Sequence, residues 1–368
     1  MLGIKHQYMN KIFFYCVILF LIISCSENNQ HDSCIFHVNE YLIPNSNKVK
    51  LSGLFSNYRI IPLETNDSSL IGGRGNKVIQ RDSLLYIHSG NSVLCFGADG
   101  HFIYKFDKHG SGPEDYVDIS DFDVVSPESG KCELWIAGSS GIQIYDANNG
   151  TYLRKIYLED QVLQFKFVNN NTILFITTGE KIFHVCNKDG TVRKSFMEKD
   201  LANSVHKFCQ FFEWQGKIAY QLGDTQTAIV YDPQTDECSM KPILLPDNNV
   251  LTPEVSCRYY KQYGYLKQYD EMTKDYTLLL DIRTSCEKAT LTWISPGKQR
   301  LLTLISSDVC STHYFSDIIN DIFPSSDNLF LATLTGCESD SPSRLLFKIP
   351  SQRPGGEEDN FWLLEADL

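Results

Sequence analysis

The sequence predicts an all-β protein, a six-bladed β-propeller of four-stranded antiparallel blades over residues 56–350. Short apolar, β-branched and aromatic runs alternate with Gly, Asn and Asp turns from residue 58 onward, which is the pattern of an all-β array. The turn glycines Gly100, Gly150 and Gly190 recur at spacings close to the period of propeller blades. The stretch from 58 to 350 divides into six units of about 49 residues, which is near the same period.

Four units in the first half of the chain share one succession of strands. In the first unit, Leu84–His88 and Ser92–Phe96 flank a short turn, and Asp99-Gly100 supplies the positive φ angles of a tight hairpin before Phe102–Phe106. Equivalent sets of three strands follow at 133–156, 172–196 and 217–244. An additional apolar strand is predicted ahead of each unit, at 78–81, 119–125, 163–168 and 207–214.

The second half keeps the pattern more loosely. Two strands of a fifth unit are expected at Tyr276–Leu280 and Ala289–Trp293, and two of a sixth at Leu329–Thr333 and Arg344–Ile349. Between the fourth and fifth units, 255–269 suits a short helix or a long loop. The rival fold is a pair of β-sandwiches joined near 247–249. We prefer the propeller because the four-strand succession crosses the first half without a break.

Composition and charge exclude some classes of protein. The chain has 368 residues, 33 Lys and Arg against 45 Asp and Glu, and a formal net charge of −12. A nucleic-acid binder needs a basic face to displace counterions, so no nucleic-acid partner is expected. With 42% hydrophobic and 21% charged residues, the chain has the composition of an ordinary folded protein.

The first 24 residues have the organisation of an export signal. Lys5 and Lys11 precede the apolar run Ile12–Ile23, which is shorter than the roughly 20 residues that span a bilayer. Ile22-Ile23-Ser24-Cys25 resembles a bacterial lipobox, which implies a lipid on the Cys25 sulfur. The alternative is a conventional signal followed by an incidental cysteine.

Residues 25–55 are predicted to be the lipidated N-terminus and a polar tether. The expected location is the cell envelope, at the outer membrane, with the periplasmic or surface face left open. Membrane attachment through Cys25 is therefore one predicted partner interaction. The ten cysteines that follow Cys25 show no C-x-x-C spacing, which favours buried thiols, with one or two disulfides as the alternative.

Two segments carry a family resemblance. Ile60–Thr65 (IIPLET) followed by Ser69–Gly72 resembles the opening of six-bladed β-propeller lipoproteins of Gram-negative bacteria. Phe106–Tyr116 (FDKHGSGPEDY) resembles their G-x-G-P-x-x-Y loop, which is similar to the NHL repeat, and Asp121 and Asp123 stand near the expected carboxylate. The resemblance implies a ring closed by pairing of the N-terminal strand with the last blade, and it carries no assigned reaction. Residues 351–368 would follow the propeller as a C-terminal tail.

The G-x-G-P loop, with Gly110, Gly112, Pro113 and Tyr116, has two interpretations. The structural interpretation uses the glycines for unusual backbone angles and the proline to stiffen the connection between two blades. The functional interpretation makes the free amides a nest for an anion. Glu114 and Asp115 would repel an anion, so the structural interpretation is preferred.

The sequence contains no familiar catalytic pattern, and no catalytic residue, metal ligand or cofactor is predicted. His88, His101 and His184 fall in or beside strands, but His88 and His184 occupy different strands of their units, so an axial metal site as in propeller lactonases is disfavoured. Trp135 lies mid-strand among apolar residues, which favours packing between blades over binding of a sugar.

One speculative ligand site remains. It is a tyrosine cluster in the segment where the blade pattern fails, and it comprises Tyr259, Tyr260, Tyr263 and Tyr265, with Tyr269 nearby. Binding residues tend to lie on loops carried by a rigid scaffold. The competing interpretation packs these tyrosines beneath a long connection.

Three functions compete. The preferred one is a lipid-anchored binding or interaction module of the envelope, for a peptide, a glycan or an envelope protein. The second is an enzyme, an NHL-like lyase or a metal-dependent hydrolase with a site at the ring axis. The third is a structural envelope component. The fold does not decide among them, because propellers carry many functions.

Overall fold

A computed structural model describes the chain at residues 34, 36–37, 47–72, 77–81, 83–126, 132–198, 211–245, 249–285, 288–297, 299–306, 310–322, 335–339, 345–349 and 360–367. The predicted six-bladed propeller of four-stranded antiparallel blades is confirmed. In each blade the chain runs from an inner strand at the ring axis, through a second and a third strand, to an outer strand at the rim.

The strands of the first three blades follow the predicted succession closely. Blade one is formed by Val78–Arg81, Leu84–Ser89, Ser92–Gly97 and Phe102–Phe106. Blade two is formed by Asp121–Val125, Glu133–Gly138, Gly141–Asp146 and Tyr152–Ile156. Blade three is formed by Val162–Phe167, Thr172–Thr177, Lys181–Asn187 and Val192–Glu198.

The second half of the ring has the same architecture. Blade four is formed by Phe211–Trp214, Lys217–Gln221, Thr227–Asp232 and Glu237–Leu244. A helical segment, Pro253–Asp275, then leads to blade five, which is formed by Leu278–Ser285, Lys288–Ser295, Gln299–Ile305 and Cys310–Tyr314. Blade six is formed by Thr335–Ser339, Leu345–Ile349, Trp362–Asp367 and Asn57–Pro62. The strand predicted at Leu329–Thr333 lies outside the described residues.

The ring closes by pairing its two ends. Asn57–Pro62 is antiparallel to Trp362–Asp367, in a register that sets Pro62 opposite Trp362 and Asn57 opposite Asp367. The Ser56 amide donates to the Asp367 carbonyl oxygen at 2.9 Å, so the two ends of the ring-forming chain are neighbours. The assignment of 351–368 to a C-terminal tail is therefore wrong for 362–367, which form the third strand of blade six. The stretch after Ile349 is rich in Gly, Pro and acidic residues, and for this reason the sequence pattern did not indicate the strand that follows it.

The predicted tether also ends earlier than residue 55. Val49–Lys50 pairs in parallel with Ile318–Ile319, and a 3₁₀ turn follows at Leu51–Leu54. Leu51 and Phe55 are buried against blades five and six, which explains why this segment is part of the fold. Further upstream, Phe36–His37 pairs in parallel with the end of the outer strand of blade four.

The core is divided among the blade interfaces. One cluster of buried apolar side chains lies between each pair of neighbouring blades around the whole ring, including the closing contact between blade six and blade one. Both faces of every blade are thus covered by a neighbour, which explains strands such as Thr172–Thr177 in which every residue is buried. Removing one blade would expose apolar surface on two others.

Three turn glycines occupy equivalent positions between neighbouring blades. Gly100, Gly150 and Gly190 have φ angles of 88°, 71° and 91°. Each lies in the turn before an outer strand, and each faces the end of the previous blade's outer strand, at Pro62, Phe106 and Ile156 respectively. The repeat seen in the sequence therefore reflects a backbone requirement and a contact between blades.

Carboxylates on the inner strand of blade two tie three blades together. Asp121 Oδ1 accepts from Lys77 Nζ of blade one at 2.8 Å, and Asp121 Oδ2 accepts from the Phe165 amide of blade three at 2.9 Å. Asp123 Oδ1 accepts from the guanidinium of Arg81 at 2.9 Å. Both aspartates also accept from the backbone amide of the next residue, so they satisfy donors on the free edge of the innermost strand.

A glycine pair tests the contact between blades. We expect Gly100→Ala to lower the free energy of unfolding by roughly 2–4 kcal/mol, because its Cβ would meet the Pro62 carbonyl in addition to the positive-φ strain. Gly90 is the matched control, since it has a φ of 59° and open space around an added Cβ. Gly90→Ala should lower it by about 1 kcal/mol. Equal losses in urea titrations would contradict the proposed contact.

The inner ion pair between Lys77 and Asp121 should contribute more to the free energy of unfolding than an exposed ion pair does. Asp121→Ala would remove the carboxylate that accepts from Lys77 Nζ and from the Phe165 amide. The Lys77 side chain is only 12% exposed, and we expect a loss of roughly 3–5 kcal/mol in the free energy of unfolding. Lys105 and Asp107 form a pair in which both side chains are 46% exposed, so Asp107→Ala should cost about 0–1 kcal/mol. Urea titration of both variants makes the comparison, and a similar small loss from each would refute the role given to Asp121.

Candidate functional site

The two ends of the propeller carry very different connections. Because the strands alternate in direction, the connections between blades and those between second and third strands leave at one end, here called the long-loop end. The remaining connections leave at the other, the short-turn end. Described turns of the short-turn end include 98–101, 188–191 and 215–216, whereas the described parts of connections at the long-loop end include 63–72, 107–120 and 249–277. Loops on a rigid scaffold are the usual place for binding, so the long-loop end is the candidate functional face.

Its largest feature is a helical hairpin. The helical segment Pro253–Asp275 reverses direction at Gly264, whose φ of 71° and ψ of 172° are not helical. The Tyr259 hydroxyl donates to Asp275 Oδ2 at 3.3 Å across the two halves, so these lie side by side. Thr252 caps the first half by accepting from the Val255 amide, and Pro253 occupies the first turn. The interval predicted as a helix or a loop is thus two helices folded against each other.

The base of the hairpin is part of the protein core. Leu251, Met272 and Leu278 are buried together, and the Thr277 amide donates to the Asn249 carbonyl oxygen at 2.8 Å. The Gln226 amide of blade four donates to the Leu251 carbonyl oxygen at 3.1 Å. The hairpin is therefore anchored at both ends of its chain and forms a fixed extension of the ring.

The predicted tyrosine cluster is only partly assembled. Tyr259 and Tyr263, one helical turn apart, have ring centroids 5.6 Å from each other. Tyr259 also packs edge-on against Tyr276, with centroids 5.8 Å apart, and burial raises its pKa. Tyr260 is half-buried on another side of the helix, and the side chain of Tyr265 lies outside the described residues.

Tyr276 also belongs to this tyrosine cluster, although the sequence did not indicate it. It lies 13 residues beyond Tyr263, and the reversal at Gly264 is needed to bring it back to Tyr259. The only sequence signal for that reversal is a glycine in the middle of a long polar helix. The structure thus places Tyr259 in the packing of the hairpin rather than on a free surface.

The G-x-G-P loop joins the outer strand of blade one to the inner strand of blade two, and its amides are engaged within the loop. The Gly110 amide donates to the Tyr116 carbonyl oxygen at 3.0 Å, and the Gly112 amide donates to Asp115 Oδ2 at 2.9 Å. A Cβ on either glycine would collide with the Asp115 carboxylate. Pro113 is exposed beside it. Asp115 thus takes the place that an anion would occupy in a nest.

Tyr116 fastens this loop to the first two blades. It is fully buried, its hydroxyl donates to the Asn91 carbonyl oxygen at 2.7 Å, and burial raises its pKa to about 12. Tyr145 of blade two donates from its hydroxyl to the Glu114 carbonyl oxygen at 2.7 Å. These contacts make the loop a clamp between two blades at the long-loop end.

The histidines named from the sequence have local partners: His88 and His101 lie toward opposite ends of blade one, and His184 lies in blade three. His88 Nε2 lies 2.8 Å from the Gly90 carbonyl oxygen, and His101 Nδ1 lies 2.7 Å from a Glu64 carboxylate oxygen. Burial lowers the pKa of both His88 and His184. Within the part of the chain that the structure describes, no three His, Cys, Asp or Glu side chains are grouped so that they could hold a metal ion.

Of these three histidines, His184 has a hydrogen-bond partner at each ring nitrogen. Its Nε2 lies 2.8 Å from the Lys181 carbonyl oxygen, which can only accept, so the ring proton sits on Nε2. Nδ1 then accepts from the Ser195 hydroxyl at 2.9 Å. Trp135, in contrast, has the packing role predicted for it, since it is fully buried between blades two and three beside Phe165 and Phe167.

The proposed lipidation site cannot be placed, because Cys25 lies outside the described residues and its lipidation stays a prediction. No helix in the described ranges is both long and apolar enough to cross a membrane. The cysteines described with their side chains are free thiols: Cys34, Cys95, Cys132, Cys186, Cys238, Cys257 and Cys310.

Several solved structures are similar to this chain, and the first of them shares its fold. A Bacteroides fragilis protein described as a "putative exported protein" is 14% identical, with a TM-score of 0.64 over 86% of this chain and 96% of its own. The extracellular domain of a Bacteroides thetaiotaomicron protein is 11% identical, with a TM-score of 0.43 over 84% of this chain and 40% of that one. The Neurospora crassa Pan2 WD40 domain is also 11% identical, with a TM-score of 0.41 over 79% and 74% of the two chains. At these identities the likeness concerns the fold alone.

No curated protein matches the sequence. A family model does match, over residues 33–232, which run from the N-terminal segment to the third strand of blade four. This match covers more than half of the chain, and the protein belongs to the family described as "Domain of unknown function (DUF4934)".

Proposed function

We propose that this protein is an exported, lipid-anchored binding module of the cell envelope that holds a protein partner at the long-loop end of its propeller. The observation that carries the proposal is the helical hairpin Pro253–Asp275, which projects from a rigid ring and is fixed at its base. A preformed element loses little conformational freedom on binding, which favours affinity.

The hairpin suits a polypeptide partner better than a glycan. Stacking of a sugar needs a free aromatic face, but the Tyr259 ring already contacts Tyr263 and Tyr276. The exposed side of the hairpin instead carries charges of both signs, such as Glu254, Arg258 and Lys261. Charges of mixed sign at an interface contribute specificity for one protein partner over others.

Export and anchoring are supported by the leader. The two lysines, the apolar run and Ser24-Cys25 follow one another in the order of a lipoprotein signal. The Bacteroides fragilis protein of the same fold is also described as exported. Two or three acyl chains at Cys25 would give stable attachment, since one chain alone binds a membrane only marginally.

The anchor has a matched cysteine control within the leader itself. We expect Cys25→Ala to abolish incorporation of radioactive palmitate and to release the protein from membrane fractions, because the acceptor sulfur is lost. Cys16→Ala, in the apolar run, should label and fractionate as the wild type does. Palmitate retained by Cys25→Ala would refute the anchor.

Photo-crosslinking tests the binding face. A photoreactive amino acid at Gln262, exposed on the hairpin, should give one discrete protein adduct in intact cells. The same residue at Gln234, an exposed glutamine in a turn of the short-turn end, should give none. Adducts of equal yield from both positions, or none from Gln262, would contradict the proposal.

A further inference from the structure

The turn of the helical hairpin carries a concentration of positive charge. Residues 258–269 (RYYKQYGYLKQY) contain three cationic side chains, five tyrosines and no acidic residue. The whole chain, in contrast, has a formal net charge of −12. We call Arg258, Lys261 and Lys267 the tip cations, because they surround the reversal at Gly264.

The tip cations are exposed, and they lie close to one another along the hairpin. Arg258 and Lys261 are three residues apart in the first helical half, so they share one face of it. Lys261 and Lys267 stand three residues before and three residues after Gly264. Among the residues that the structure describes, none forms a salt bridge with a tip cation. Their charge is therefore available to a partner.

The acidic groups of the hairpin lie toward the ring. The parts of Pro253–Asp275 outside 258–269 contain four acidic residues and one lysine. That lysine, Lys274, forms an ion pair with Glu271 at 2.7 Å, and Asp275 accepts from the Tyr259 hydroxyl. The hairpin is thus positive at its turn and negative at its base. An acidic partner would be attracted to the turn and repelled by most of the remaining surface, which favours one orientation of binding.

A bilayer surface fits this turn less well than a polypeptide does. Helices that lie in a membrane interface bury an apolar face in it. Among the described side chains of the hairpin, no large apolar one is exposed. Tyr259 and Tyr263 pack on each other, with ring centroids 5.6 Å apart. The turn therefore offers charge and hydrogen-bond donors rather than an apolar face.

We propose that the tip cations bind an acidic segment of a polypeptide, whose Asp or Glu side chains pair with Arg258, Lys261 and Lys267. The guanidinium of Arg258 can donate two parallel hydrogen bonds to one carboxylate, and each lysine supplies a further point charge. This inference rests on the proposed function, because it names the chemistry of the partner that the hairpin holds. The buried base of the hairpin keeps the three cations on a fixed element before the partner arrives.

Two matched peptides test the chemistry. A fluorescein-labelled peptide of six Glu-Ser repeats should raise its fluorescence anisotropy on binding the purified wild-type protein at low salt. Added NaCl should weaken this binding, because salt screens interactions between exposed charges. A peptide of six Gln-Ser repeats has the same length without the carboxylates, and we expect it to bind at least about tenfold more weakly. Equal binding of the two peptides, or no binding of either, would overturn the proposal.

Charge reversal tests the place. A charge-reversed tip variant, which combines Arg258→Glu, Lys261→Glu and Lys267→Glu, should bind the Glu-Ser peptide at least about tenfold more weakly than the wild type. Glutamine at the same three positions removes the charge without reversing it, and should weaken binding at least about threefold. Thermal unfolding checks the fold of both variants, and the glutamine variant decides the outcome if the charge-reversed one unfolds early.

The matched control reverses three exposed lysines outside the hairpin. Lys48→Glu, Lys50→Glu and Lys105→Glu together change the net charge of the protein by the same amount. This control variant should bind the Glu-Ser peptide within about threefold of the wild type. Equal weakening in the control and in the charge-reversed tip variant would mean that only net charge matters, and would overturn the site.

Crosslinking separates this inference from the proposed function. The adduct formed in intact cells by a photoreactive amino acid at Gln262 should be lost in the charge-reversed tip variant and kept in the control variant. An adduct that persists in the charge-reversed tip variant would overturn the acidic partner but leave the hairpin as the binding face. No adduct in any variant, with peptide binding at the tip intact, would contradict the proposed function alone. Sedimentation with phosphatidylglycerol vesicles through the tip cations, without binding of the Glu-Ser peptide, would indicate a lipid surface and overturn the proposal.

Discussion

The pairing of Asn57–Pro62 with Trp362–Asp367 is the contact on which the rest of the propeller depends. Each blade covers its apolar faces only with its two neighbours, so an open ring would leave two faces in water. The strand pair joins segments about 300 residues apart, and backbone hydrogen bonds hold it in one register. Every other blade contact can then be a repeat of the same local geometry.

That repetition is visible at the rim, whereas at the axis blade two supplies two carboxylates of its own. At the rim, turn glycines let one blade approach the end of the previous outer strand, as Gly190 does at Ile156. At the axis, Asp121 and Asp123 accept from donors of the innermost strands, where no further strand could pair. Both devices satisfy requirements that the strands leave unmet: the glycines act in turns of the short-turn end, and the aspartates act along the innermost strand of blade two.

The sequence predicted what is local and missed what is assembled from distant segments. Turn chemistry and alternation located the second, third and outer strands of the first four blades almost to the residue, because each hairpin is specified by its own residues. The sequence pattern alone predicts a tail at Trp362–Asp367, because the partner strand Asn57–Pro62 stands at the other end of the ring-forming chain.

The candidate sites follow the same rule. Tyr259 and Tyr263 could be paired from helical spacing alone, but Tyr276 joins them only because Gly264 reverses the chain. A site that is assembled from residues far apart in the sequence leaves no local sequence pattern.

The meeting of Ser56 with Asp367 has a consequence for how the chain relates to the ring. A circular permutant, with those ends joined by a short linker and new termini opened at 157–161, the connection between blades two and three, would hold six blades each built from consecutive strands. Which strand comes first along the sequence is then independent of the ring, because the closed ring has no first blade.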